Sequence, residues 1–242
     1  MKTKKEYIEI REGKDINSEF LDAKKVKQLE LYRKLLVEWN EKINLTALTD
    51  EDSIIVKHFI DCIECCKYIS ENKSIIDVGT GAGFPGLVIA IIMQNKVKVT
   101  LLDSLNKRTI FLKDVVDKLE LKNVEIIHGR AEEYGNNNKY REKYDIAIAR
   151  AVAPLNILLE YLTPYVKVDG KVLVMKSEKI EEEIINSKKC IGILNLKQKD
   201  IHNYILELNN EKFKRNICIY SKEKTTNIKY PRQYAKIKNN PL

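Results

Sequence analysis

The stretch Ser74-Ile-Ile-Asp-Val-Gly-Thr-Gly-Ala-Gly-Phe-Pro-Gly86 decides the fold of this chain. A short apolar run ends at Asp77 and meets a loop carrying Gly79, Gly81, Gly83 and Gly86. A second apolar run, residues 87–93, follows at once. Strand, glycine loop and helix in this order open a nucleotide pocket. Glycine lets backbone approach a ligand where any Cβ would collide.

Working outward, strand-like apolar runs recur at 75–78, 97–102, 124–127, 146–149 and 172–175. Helical stretches separate them at 87–93, 107–119 and 155–166, with another near 178–189. This alternation predicts an α/β fold with a parallel sheet covered on both faces. Right-handed crossovers then set the loops after each strand along one edge, where ligands bind. The end differs: runs at 204–208 and 216–220, separated by Asn209-Asn-Glu-Lys212, signal a β-hairpin. The sheet is therefore expected to be mixed.

Before the sheet, Leu29, Tyr32, Leu35, Leu36 and Trp39 recur at helical spacing within residues 18–40. Asp50 is placed to cap a second helix with the stripe Ile55, Phe59, Cys62, Cys66 and Ile69. The loop 44–49 joins the two. Residues 1–70 thus form a helical N-terminal extension, led in by a charged segment over residues 1 to 17.

The 242 residues are 44% hydrophobic, enough for a real core, and carry a net charge of +8 that favours a polyanionic partner. No apolar run reaches the roughly 20 residues that span a bilayer. The opening Met-Lys-Thr-Lys-Lys-Glu lacks a signal peptide's apolar stretch, so a cytoplasmic location is expected. Cys62, Cys65, Cys66, Cys190 and Cys218 lack the paired spacing of a zinc site and read as buried thiols. No metal is expected.

The loop chemistry narrows the ligand. Gly81-Ala-Gly-Phe-Pro-Gly86 fits the dinucleotide pattern, with Asp103 near the expected distance downstream. Asp77, before the glycines, is placed to face a ligand ammonium instead. Asp103 ends the second strand, where a carboxylate can accept both hydroxyls of a ribose; a helix cap is the alternative. His128-Gly-Arg-Ala-Glu132 follows the third strand as a turn whose backbone and Glu132 can meet an adenine edge. Arg150 ends the fourth strand and Lys176 the fifth, each a cation suited to an electron-rich substrate or to a salt bridge. No serine, histidine and carboxylate arrangement suggests a nucleophile. The end of the chain mixes cations with Tyr230 and Tyr234, a composition suited to phosphates and unpaired bases, or to a plain basic tail.

Taken together, these residues resemble the bacterial small-subunit ribosomal RNA guanine-N7 methyltransferase family, formerly called glucose-inhibited division protein B. The resemblance rests on Trp39-Asn-Glu-Lys-Ile-Asn-Leu-Thr46, Lys57-His58 with Asp61, and Asp77 through Gly86. It continues through Leu102-Asp-Ser104, Lys107-Arg108, Arg150-Ala151, Leu155, Tyr230-Pro-Arg232 and Pro241-Leu242. It implies a Rossmann-like S-adenosylmethionine-dependent methyltransferase domain over 71–225 and a basic C-terminal tail over 226–242, packing on or near the RNA site.

The cofactor implied is S-adenosyl-L-methionine, held by Asp77, Gly79, Gly81, Phe84, Asp103, Ser104, Ala131, Glu132 and Arg150. Arg150 would also position the reacting groups, with no general base. The RNA contacts implied are Lys176, Lys229, Tyr230, Arg232, Lys236 and Lys238. The substrate implied is guanine 527 in the 530 loop of 16S rRNA, free or in a small-subunit assembly particle. Two departures stand out: Ser177 replaces a usual glycine, and Ala235, Lys236, Ile237 and Asn239 replace the usual Gly-Thr-Pro and lysine. An NAD-dependent oxidoreductase, a non-catalytic RNA-binding module and a small-molecule methyltransferase are the rival readings.

Overall fold

The computed structural model describes residues 20–150, 153–178 and 180–242. The charged lead-in read at residues 1 to 17, and Ala151, lie outside the described residues.

Seven strands form one sheet in the order β3-β2-β1-β4-β5-β7-β6. They are β1 Lys73–Val78, β2 Val97–Asp103, β3 Val124–His128, β4 Tyr144–Arg150, β5 Val166–Lys176, β6 Leu196–Leu208 and β7 Glu211–Lys222. The first five pair in parallel, and β7 slots antiparallel between β5 and β6. The mixed sheet expected from the sequence is what forms.

The hairpin is longer than its apolar letters indicate. Its turn is only Asn209-Asn210, both left-handed at φ 51° and 61°, a conformation asparagine tolerates in a two-residue hairpin. The mainly charged stretches 197–200 and 211–215 continue the strands beyond their apolar runs.

Helix α1, Ala23–Ile43, starts where the Asp22 carboxylate accepts the Lys25 N–H at 2.9 Å. The spacing alone placed its start near residue 18; the cap decides the boundary. A second helical segment, α2, covers residues 51–68 and opens as read, with Asp50 accepting the Ser53 N–H. Its pitch then widens to a π-helix over Ile55–Ile60, and it ends in a 3₁₀ turn over Glu64–Tyr68. The remaining helices are α3 Gly86–Met93, α4 Asn106–Lys118, α5 Ala131–Gly135, α6 Leu155–Leu162, α7 Ile180–Ile193 and α8 Tyr234–Asn239. Helix α6 stops earlier than read because Pro164 sits in the 3₁₀ turn Thr163–Tyr165 that follows. The turn read at 128–132 closes into α5.

Strand alternation divides the core in two. Ile75, Val99, Leu101, Ile148 and Leu173 pack under α1, α2, α3 and α4. Ile76, Val78, Leu102, Ala147 and Val174 pack under α6 and α7, together with Tyr230 from the C-terminal segment. Leu29, Tyr32, Leu36, Ile54, Ile55 and Phe59 of the two N-terminal helices are fully buried in the first of these clusters. Helix α1 packs on α3 and α4, which lie directly on this face of the parallel sheet. Burying such side chains is worth roughly 1.5–3 kcal/mol each.

Candidate active site

The glycine loop is tied to two strand tips. Gly79 and Thr80 donate to the Leu102 carbonyl at 2.8 and 3.1 Å, and Gly81 N–H donates to Asp103 Oδ2 at 2.8 Å. Gly79 takes φ 73°, a left-handed conformation in which an L side chain would be strained. Asp77 is fully buried beneath the loop. Its Oδ2 accepts the Thr80 hydroxyl at 2.6 Å and the Gly86 N–H at 2.7 Å, capping α3, while Oδ1 has no partner. Burial pushes the Asp77 carboxyl up to about 6, against the pull of the Thr80 and Gly86 hydrogen bonds. Asp77 therefore braces the loop from behind.

A cavity of about 430 Å³ opens at the carboxyl ends of β1, β2 and β4. Gly79, Asp103, Ser104, Ala131 and Glu132 line it, bringing together residues from three separate loops. Val78, Leu102, Ala149, Leu158 and Leu162 supply its apolar surface. The size and the mixture of apolar walls with a few polar groups suit a nucleoside-sized ligand. Asp103 is 2% exposed. Its Oδ1 accepts the Leu105 N–H at 2.9 Å, a turn just before α4 and not the helix cap read as its alternative, because α4 has its N-cap at Leu105 without a side-chain bond. Its Oδ2 also accepts from Arg108 Nη1 at 3.4 Å, so the remaining acceptor capacity is on Oδ1. Asp77, Gly81, Phe84 and Arg150 are not among the lining residues.

Arg150 instead faces a second cavity of about 450 Å³, on the side covered by α2. Its guanidinium donates to Asp61 Oδ2 at 3.1 Å, to the Lys57 carbonyl at 3.2 Å and to His58 Nδ1 at 3.0 Å. A guanidinium only donates, so Nδ1 is the acceptor and His58 carries its hydrogen on Nε2, facing Thr46 Oγ1 at 2.9 Å. Burial, then the Arg150 charge, lowers the His58 pKa to about 3. The His58 ring stacks on Phe84 at 4.3 Å, and the Arg150 guanidinium lies 4.8 Å from the same ring. The N-terminal helices thus fix the cation at the tip of β4, and the glycine loop supplies the aromatic ring beneath it.

Lys57, Lys176, Phe213 and Arg215 complete this second cavity. Lys57 Nζ lies 4.0 Å from the Phe213 ring centre. Lys176 donates to the Ala153 carbonyl and pairs with Glu183 at 2.7 Å, the salt bridge weighed for it in the sequence. The apolar run in β7 begins only at 216, so the sequence pattern does not reach Phe213 and Arg215. Their recurrence two residues apart in a basic strand is the signal that marks one shared face.

The C-terminal segment is bound to the body of the protein. Arg232 donates from Nε and Nη2 to both oxygens of Glu160, at 2.8 and 2.7 Å, and Glu160 is fully buried. Arg141 donates to the Thr226, Asn227 and Tyr230 carbonyls. Tyr230 is 6% exposed, so the expectation that its ring stacks on an unpaired base does not fit. Arg232 likewise faces inward. Lys229, Lys236 and Lys238 are exposed.

The family model for GidB, rRNA small subunit methyltransferase G, matches residues 25–216. The chain belongs to this family. A ribosomal RNA small subunit methyltransferase G from Clostridium botulinum is 48% identical over 230 residues, covering 94% of this chain and 95% of that protein. One from Acetivibrio thermocellus is 46% identical over 243 residues, covering 100% and 98%. The fold agrees with solved methyltransferase structures. TYW2 of M. jannaschii in complex with AdoMet superposes with a TM-score of 0.52 at 17% identity, covering 67% of this chain and 76% of that one. The GidB family match ends inside β7, so the tail lies beyond it, while Arg141 and Glu160, which hold the tail, lie within it.

Proposed function

We propose that this chain transfers a methyl group from S-adenosyl-L-methionine to N7 of a guanine in 16S rRNA, guanine 527 of the 530 loop. One observation carries the reading. Adjacent residues at the end of β4, Ala149 and Arg150, line two different cavities. One suits a nucleoside-sized donor, and the other gathers cations around an aromatic ring, as a single-stranded RNA site does.

Gly79, Asp103, Ser104, Ala131 and Glu132 would hold the cofactor, with Asp103 at the ribose. Asp77 and Gly81 shape the loop that carries Gly79. When bound, S-adenosyl-L-methionine supplies a methyl group on a positively charged sulfur, which keeps the electron pair of the broken bond. Guanine N7 contributes a lone pair and has no hydrogen to lose, so the new N–C bond forms without a base. The site matches that economy. His58, lowered to about 3 and bonded through both ring nitrogens, stands neutral and takes no proton.

Arg150 and Phe84 then serve position, setting the target base against the donor; well-aligned reactants gain roughly 7–11 kcal/mol over free encounter. Lys57, Lys176 and Arg215 draw the RNA backbone to the mouth of the second cavity. Lys229, Lys236 and Lys238 extend the cationic track, while Tyr230 and Arg232 hold the tail that carries it. The reaction takes place in the cytoplasm, on free rRNA or an assembly particle. Transfer of labelled methyl to 16S rRNA and to 30S particles, with mapping of the modified base, tests the proposal. Label on any other atom or base would overturn it.

A further inference from the structure

The first cavity has one wall that the strand tips do not supply. Tyr234, the first residue of α8, lines it beside Arg130 and Tyr161. The backbone that carries this ring is held on both sides. Upstream, the Arg232–Glu160 pair pins the chain two residues before it, and Asn136 donates to the Pro231 carbonyl at 3.1 Å. Downstream, Ile237 is fully buried.

Held so, Tyr234 still leaves 46% of its surface uncovered. The Arg130 guanidinium lies 5.8 Å from its ring centre and Lys238 Nζ lies 5.7 Å from it. An aromatic ring flanked by cations and open toward a cavity is a platform for a flat, electron-rich ring system.

We propose that Tyr234 is a cofactor-binding residue, its ring forming the tail-side wall against which the nucleoside part of S-adenosyl-L-methionine packs. The inference rests on the reading of the first cavity as the cofactor site. It gives the C-terminal segment a part in holding the donor, separate from any contact with RNA.

Calorimetric titration of the full chain with S-adenosylhomocysteine tests it. Removing one aromatic platform from a base costs on the order of tenfold in affinity. Tyr234→Ala should bind about tenfold more weakly, whereas Tyr234→Phe should stay within about twofold, because the ring and not the hydroxyl makes the contact. Urea midpoints of both variants should match wild type, since the side chain is half exposed. Equal affinity of Tyr234→Ala and wild type would overturn the inference while leaving the cavity's identity intact. If that variant instead lost affinity only for an rRNA fragment, the ring would belong to the RNA surface. No binding of S-adenosylhomocysteine by wild type would overturn the reading of the cavity itself.

Discussion

Arg150 and His58 are joined by a 3.0 Å hydrogen bond that ties the tip of a sheet strand to the π-helical turn of the N-terminal segment. The bond exists only while the imidazole is neutral, because a protonated Nδ1 would face a guanidinium. At neutral pH, folded and unfolded chains both carry uncharged His58. As pH falls through 6.5 the unfolded chain takes a proton that the folded chain refuses until about 3, so stability is lost across that window. At pH 5 the loss is about 2 kcal/mol, from about 1.4 kcal/mol per unit. Asp77, raised to about 6, acts with the opposite sign and is common to both proteins compared. Urea midpoints of His58→Gln should therefore fall less steeply than wild type between pH 7 and 5. Parallel slopes would show that His58 titrates normally.

Asp103 lies in the cavity wall and also holds the Gly81 and Leu105 N–H groups. Asp103→Ala should weaken S-adenosylhomocysteine binding by about 1.5–3 kcal/mol, the range for a charged hydrogen-bond partner. Calorimetry beside a urea melt separates that effect from loss of the fold. Full affinity in a folded variant would remove the carboxylate from the ribose.

The buried end of the tail makes its own prediction. Arg232→Ala strips the partner from a fully buried Glu160 and should cost about 3–5 kcal/mol of stability. The double variant Arg232→Met, Glu160→Leu should recover most of that loss, because no charge is left stranded. Denaturant midpoints of the two variants decide the matter. Deleting the whole tail would confound this cost with any change in RNA binding.

Point changes on the tail's outer face avoid that problem. Lys236→Ala with Lys238→Ala should lower affinity for an rRNA fragment and reduce the slope of log affinity against log salt by about 1.4, near 0.7 per phosphate contact on single strands. Filter binding at several salt concentrations measures it. An unchanged slope would place the RNA elsewhere.

Gly86 packs against the back of its own loop. A Cβ there would lie 2.5 Å from Leu101 Cδ2 and 2.8 Å from Asp77 Cβ. Gly86→Ala should destabilise the protein by about 1–3 kcal/mol through overpacking, read as a lower urea midpoint. Wild-type stability would mean that the loop and β2 can separate at this point.

Much of this architecture is legible in the letters because glycine loop, strand tips and apolar periodicity are local signals. Asp50 as a cap, the five parallel strands and the reversed strand near the end follow from neighbours in sequence. The second cavity is different. Phe213 and Arg215 meet Lys57, Asp61 and Arg150 across more than 60 residues of chain, and no local pattern announces that meeting. The roles of Tyr230 and Arg232 were obscured for a related reason. Tyrosine and arginine in a basic tail read as ligands for RNA, whereas a buried Glu160 far upstream turns Arg232 inward. Asp77, too, sits where a ligand-facing carboxylate is expected, yet the first N–H of α3 claims it.

The placement of β7 has a consequence for how the protein is made. Residues 216–221 of β7 lie between β5 and β6, so β5 keeps an unpaired edge until that late segment has left the ribosome. The five parallel strands, among them those whose ends open the first cavity, are all synthesised before it. Phe213 and Arg215 arrive only with β7, and the anchors of the tail only after that. The first cavity likewise gains its Tyr234 wall only with the last residues, so a prematurely terminated product would leave both cavities open on one side.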